Sequence, residues 1–125
     1  LGEVLLAPHI NYTKPVSHLL DQQVPIKGMA HITGGGLIEN VPRILPNNCA
    51  VEINTRAWPE QAVFSLLQQL GGLSNDEAYS TFNMGVGLIM VIDAAHSFSE
   101  QESKDLSIYQ IGEVIPHEDK KVVLI

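Results

Sequence analysis

The sequence predicts an α/β (α+β) sandwich, a mixed sheet with helices packed on it. Three observations carry this. Short apolar runs with strand character recur at 26–31, 50–54, 88–92, 108–115 and 122–125. Segments with apolar residues at helical spacing stand between them, opened by caps or proline and closed by glycine or proline. The two kinds of segment do not alternate strictly, which points away from a purely parallel, doubly wound sheet. At 125 residues with 45% hydrophobic content, the chain can bury one real core as a single domain, residues 1–125.

Taken in order, residues 1–8 are an apolar lead-in closed by Pro8, and His9 to Thr13 form a polar connector. A helix is predicted from Thr13-Lys14-Pro15, since threonine caps orphan N–H groups and proline is tolerated in the first turn. Val16, Leu19 and Leu20 share one face of it, with His18 beside them. Val24-Pro25 ends the helix and a strand runs to His31. Asn47-Asn48 reads as a turn, and Ala50 to Asn54 alternates like a strand with one buried face. Pro59 opens a helix whose apolar side is Val63, Phe64, Leu66, Leu67 and Leu70, stopped by Gly71-Gly72. Trp58 before it reads as a core anchor. Ser74 and Glu77 form a capping box for a short helix through Phe82. The continuous apolar run Leu88 to Ile92 reads as a buried central strand, and Gly85 and Gly87 before it imply close backbone approach by a ligand or another element. Residues 93–107 form a weak helix. A strand with Gly112 inside it, a turn at 116–119 and a last strand from Val122 complete the chain.

The stretch around which the rest is organised runs from Gly28 to Arg43. An apolar run ends in Thr33-Gly34-Gly35-Gly36, and an amphipathic segment follows and stops at Pro42. Successive glycines let backbone N–H groups point into one concavity, because positive φ is inexpensive for glycine. A helix start adds unpaired N–H groups and a positive dipole end, so the arrangement suits a phosphate or carboxylate. The pattern is neither G-x-G-x-x-G nor a Gly-Lys-Ser/Thr loop, and the same residues also describe a tight turn with glycines for close packing.

Other residues add detail. His31, at the strand end, can contact a phosphate or move a proton, or can be hydrogen-bonded within the core. Arg43, up to ~10 Å beyond the loop at ~1.5 Å rise per residue, can clamp an anion or form a surface ion pair. Asn40 and Asn83 are oriented polar donors, and Glu39 can take a proton or a magnesium ion or stand simply as a surface glutamate of the helix. Cys49 is expected to be a buried structural thiol.

Composition excludes several classes. Net charge is −7 and no basic cluster exceeds Lys120-Lys121, so nucleic acid is not an expected partner. One cysteine permits no internal disulfide or thiolate zinc cluster, and a reducing, cytoplasmic setting fits. No apolar run approaches the ~20 residues of a membrane helix, so no membrane partner is expected. Charged residues are only 17%, leaving surface for a protein partner to cover. There is no H-E-x-x-H spacing, no defensible Ser/His/Asp order and no carboxylate pair at a glycine turn, so no catalytic residue and no metal ligand is assigned. The sequence begins at Leu1 without a basic leader and reads as part of something longer.

Met29 to Arg43 closely resembles the signature of the phosphoribosylformylglycinamidine cyclo-ligases, the aminoimidazole ribonucleotide synthetases of purine biosynthesis. Leu5-Leu6-Ala7-Pro8, Tyr12 and Lys14-Pro15-Val16 resemble the stretch before that signature. Thr81 to Gly87 is similar to the family's second glycine motif, and Ile111 to Val114 to its closing strand. The resemblance covers nearly the whole chain, but only the family's carboxy-terminal, partly ferredoxin-like domain, without that domain's first strand and helix. It implies an ATP-dependent ligase as the parent protein. ATP activates the formyl oxygen of formylglycinamidine ribonucleotide, an internal nitrogen attacks, and phosphate and ADP leave. ATP and Mg2+ are bound mainly by the amino-terminal half, which also forms the parent homodimer. The piece alone is expected to hold no cofactor and not to catalyse the reaction. Carried over by position, Gly34, Gly35 and Gly36 line the substrate cleft, Asn40 orders the loop or binds substrate, and Asn83 and Gly85 line the same cleft. The expected partners are the ribonucleotide substrate and the amino-terminal half.

Two features depart from the family: His9-Ile10 stands in place of Thr-Arg, and 93–107 is poor in helix formers. Two other readings stay open, a domain of a related ATP-dependent enzyme (formylglycinamidine synthase or selenophosphate-synthetase-like) and a non-catalytic binding or assembly domain.

Overall fold

The computed structural model describes residues 1–125. The elements run α1 (Gly2–Leu5), α2 (Thr13–Asp21), β1 (Ile26–His31), α3 (Gly36–Asn40) continuing into a 3-10 turn (Val41–Ile44), β2 (Cys49–Ile53), α4 (Ala62–Gly71), α5 (Asn75–Thr81), β3 (Leu88–Ile92), α6 (Glu100–Leu106), β4 (Gly112–Pro116) and β5 (Val122–Leu124). The α+β class is the one the sequence predicts. Its strands are parted between two sheets, whereas the sequence reading drew one. β1 and β3 form an antiparallel ribbon with His31 opposite Leu88. β2 is the middle strand of the second sheet, antiparallel to β4 and parallel to β5.

The core lies between the sheets. Ala30, Ile32 and Ile89 enter it from the ribbon side, Val51 and Ile53 from β2, and Leu37 and Val41 from the α3 segment. Ile32, Leu37, Val41 and Ile53 are the largest fully buried side chains. Trp58 anchors the core as expected, its ring edge-on to Tyr79 with centroids 6.5 Å apart.

Several local readings need correction. β3 is not a buried central strand: it pairs only with β1, and of its residues only Ile89 is buried. A continuous apolar run implies two covered faces, but this strand has one. In α2 only Leu19 is buried, while Leu20 is exposed. α4 buries none of its residues fully, and Leu66 and Leu70 face outward. Its end is as read: Gly72 takes the left-handed conformation and Leu73 N–H donates back to the Gln68 carbonyl at 3.0 Å. Pro42 lies inside the 3-10 turn rather than ending the helix before it. The lead-in contains the single turn α1, and Cys49 is half-buried. The region 93–107 does hold a helix, α6, opened by a second capping box between Ser99 and Glu102.

Candidate functional site

β1 delivers the chain to the glycine loop. Ile32 is fully buried and its N–H donates to the Gly87 carbonyl at 2.9 Å, so the ladder continues one step past the strand. Thr33 and Gly34 then emerge into solvent. Gly35 (φ +94°) and Gly36 (φ +56°) take left-handed conformations that few other residues adopt. Gly36 has a second reason to be glycine. A Cβ there would collide with the Tyr79 carbonyl and meet the Phe82 carbonyl at 2.6 Å. The two glycines thus form the tight, closely packed turn that the residue pattern allowed. Gly34 is different: nothing lies within 4 Å of a Cβ built on it.

Asn40 braces the loop from below. It is 5% exposed, and its amide nitrogen donates to the carbonyls of Gly36 (2.8 Å), Gly34 (3.2 Å) and Thr33 (3.4 Å). A trans peptide points its N–H opposite its C=O. With the Thr33 and Gly34 carbonyls turned toward Asn40, the N–H groups of Gly34 and Gly35 face the other way, and neither donates to any backbone or side-chain acceptor. Two adjacent outward N–H groups make a small concavity of positive partial charge. α3 spans only five residues, so its macrodipole adds little to what the peptide directions provide. The Glu39 carboxylate lies close to Gly35, within 2.5 Å of where a side chain at 35 would begin. It places a negative charge beside the concavity.

Arg43 does not sit over the loop as a free clamp. Its guanidinium donates to Asn40 Oδ1 at 3.3 Å and has no carboxylate partner within ion-pair distance. Asn83 is engaged in its own turn, its Oδ1 accepting from Gly85 N–H at 3.0 Å. Met84 and Gly85 both have positive φ there, and Trp58 Nε1 donates to the Met84 carbonyl at 3.0 Å. Gly85 faces the Gln61 side chain, 3.1 Å from a Cβ placed on it. The structure therefore brings 31–36 and 82–88 together along the end of the ribbon, with Asn40 beneath and Arg43 behind.

His31 is exposed rather than held within the core. It joins an aromatic group that residue-by-residue reading did not assemble. Its ring lies edge-on to His9 (centroids 4.8 Å apart) and to Tyr12 (6.3 Å). His9 Nδ1 lies 3.2 Å from the Ile10 carbonyl, an acceptor. The Tyr12 hydroxyl and the His9 ring occupy the space a side chain at Gly87 would fill. The signal was in the sequence: the glycine pair demanded close approach, and the element that approaches is the 9–12 connector. Burial there pushes the Tyr12 phenol above its ordinary range.

Two open depressions lie elsewhere. One, of about 230 Å³, is bounded by Glu52, Asn54, Gln110 and Glu113; the other, of about 410 Å³, by Ser65, Gln68 and Gln69. No three His, Cys, Asp or Glu side chains converge in one group. No helix is long and apolar enough to cross a membrane.

Fold and loop together define a small α+β domain built around a braced glycine turn. The chain belongs to the family described as AIR synthase related protein, C-terminal domain, which it matches over residues 1–125. Among curated relatives it is 42% identical to the phosphoribosylformylglycinamidine cyclo-ligase of Crocosphaera subtropica, covering 92% of this chain and 35% of that protein. The enzyme of the same name from Limosilactobacillus fermentum is 40% identical over 99% of this chain and 37% of its own length. That of Geobacillus sp. is 49% identical over 75% of this chain and 27% of its own length. The chain thus spans about a third of the relatives it matches.

Proposed function

We propose that this chain is the carboxy-terminal part of an ATP-dependent cyclo-ligase that closes formylglycinamidine ribonucleotide to aminoimidazole ribonucleotide in cytoplasmic purine biosynthesis. Its glycine loop receives an anionic group of the ribonucleotide. The observation that carries the reading is the pair of outward, unpartnered N–H groups at Gly34 and Gly35, fixed by a buried asparagine. The names of the relatives at 40–49% identity support the reaction. On this reading ATP supplies the activation of the formyl oxygen, an internal nitrogen attacks, and phosphate and ADP leave. The chain's own contribution is to bind and orient the ribonucleotide, with Asn83 and Gly85 shaping the neighbouring wall and His31 at its edge. ATP contacts and the homodimer belong to the amino-terminal half.

Calorimetric titration of formylglycinamidine ribonucleotide tests this, with the chain alone and with an amino-terminal half added in trans, each with and without Mg-ATP. Gly34→Ala is the informative variant, because it needs no positive φ and meets no neighbour. Saturable binding that Gly34→Ala weakens about tenfold is the expected result. Wild-type binding that the variant leaves unchanged would remove the loop from the ribonucleotide site.

A further inference from the structure

The contact between Arg43 and Asn40 has no place in a simple anion clamp. Asn40 is a buried amide with one face fully used: its nitrogen, with two hydrogens, serves three carbonyls. Its oxygen has one protein donor, the Arg43 guanidinium at 3.3 Å. An asparagine amide is nearly symmetric in shape, so what it bonds sets which end points where. Three acceptors on the nitrogen side and one cationic donor on the oxygen side agree on a single orientation. That orientation turns the Thr33 and Gly34 carbonyls inward and the Gly34 and Gly35 N–H groups outward.

We propose that Arg43 is a positioning residue that acts through Asn40 to hold the glycine loop in its N–H-outward form. The role requires one donor hydrogen and a positive charge near Asn40 Oδ1, and no contact with a ligand. Arg43 is itself exposed, three residues past Asn40, where the 3-10 turn carries its side chain back toward the amide. The turn is tied in by Leu45 N–H donating to the Pro42 carbonyl at 3.3 Å. The consequence for function rests on the proposed role of the loop, but the positioning itself does not. It is therefore read in the protein without ligand, so that failure of the substrate assignment and failure of this inference are separate results.

The test is solution NMR on the whole chain, following the Asn40 carboxamide protons and the backbone amides of Gly34, Gly35 and Gly36. Three variants are compared: Arg43→Met, which keeps length and removes the donor; Arg43→Lys, which restores a charged donor; and Asn40→Ala, which removes the brace. In the wild type the Asn40 carboxamide is expected to give two resolved, slowly exchanging resonances. Arg43→Met should speed their exchange about tenfold, as expected for loss of a hydrogen bond to a charged donor, and shift the Gly34 and Gly35 amides toward their positions in Asn40→Ala. Arg43→Lys should return both signals toward wild type, since a single donor suffices. Thermal unfolding of Arg43→Met should match wild type within a few degrees, showing that the fold is intact. If Arg43→Met leaves the Asn40 carboxamide and the glycine amides unmoved, or if Arg43→Lys fails to restore them, the inference is overturned. A variant that alters only ribonucleotide affinity would overturn it too, and would make Arg43 a ligand contact.

Discussion

The backbone of Gly36 runs so close under the carbonyl oxygen of Tyr79 that no side chain fits between them. Gly36 opens α3, Tyr79 lies in α5, and this approach joins the glycine loop to the helix that leads into the second glycine stretch. A Gly36→Ala substitution meets backbone on one side and an unfavourable φ of +56° on the other. Backbone gives way less easily than a side chain, so overpacking and conformational strain add to about 3 kcal/mol or more of destabilisation. Gly34→Ala meets neither obstacle and should fall within about 0.5 kcal/mol of wild type. Urea unfolding of the two variants side by side is the check; equal losses would contradict the close approach.

Trp58 ties the second glycine stretch to the core. Its indole N–H donates to the carbonyl of Met84, a residue with φ of +51°, while its ring packs edge-on to Tyr79. Trp58→Phe removes the donor and leaves part of the ring's volume unfilled, which should lower stability by about 1–3 kcal/mol. The loss should be accompanied by faster amide exchange at Val86, whose N–H closes the turn onto the Asn83 carbonyl. Hydrogen exchange measured by NMR would show this, and an unchanged Val86 rate would mean the turn stands without its anchor.

How much of this was legible in the sequence depended on the range of the signal. Short-range chemistry read well. The Ser74–Glu77 box is present with both of its reciprocal hydrogen bonds, and Gly72 adopts the left-handed stop. The Ser99–Glu102 box carries the same S-x-x-E pattern and marks the start of α6 better than the poor apolar spacing behind it. The core role of Trp58 also read correctly. Long-range pairing did not read. Nothing in Leu88 to Ile92 says that the strand has one partner instead of two, because burial on a second face depends on elements far away in the chain. Within the site, the three glycines were visible as a turn, but their separate roles were not. Gly35 has a positive φ and lies against the Glu39 side chain, Gly36 has a positive φ and runs under the Tyr79 carbonyl, and Gly34 stands in open space with its carbonyl bound by Asn40, and each of these partners lies outside the glycine run itself. The convergence of His9, Tyr12 and His31 over Gly87 was likewise invisible except as a demand for a glycine.

The two capping boxes make helix order depend on pH. Glu77 and Glu102 have pKa values lowered by their hydrogen bonds to Ser74 and Ser99 respectively. A carboxylate whose folded pKa lies below its unfolded value contributes stability that is present above the unfolded value and is lost as pH falls through the folded one. Both boxes should therefore be intact at neutral pH and should open as pH drops below about 4.5, the ordinary glutamate value. The amides of Ser74 and Ser99, which donate to these carboxylates at 2.8 Å, should shift together with α5 and α6 fraying. An NMR titration from pH 6 to about pH 3 follows both ends at once. Glu77→Gln should remove the acid response from α5 while leaving that of α6.

Glu39 sets the electrostatic cost of filling the glycine loop. Glu39 is the exposed residue of α3, and its carboxylate lies against Gly35, next to the N–H groups proposed to receive an anion. Two unit charges about 4 Å apart in water repel by about 1 kcal/mol, and the repulsion is screened by salt. Glu39→Gln keeps the size of the side chain and removes the charge. It should therefore tighten binding of an anionic ligand about fivefold at low ionic strength, with the advantage shrinking as salt is raised. Calorimetric titration of the ribonucleotide at two salt concentrations measures both effects. Weaker binding in Glu39→Gln would mean that the carboxylate accepts a hydrogen bond from the ligand, with its charge serving recognition instead of opposing it.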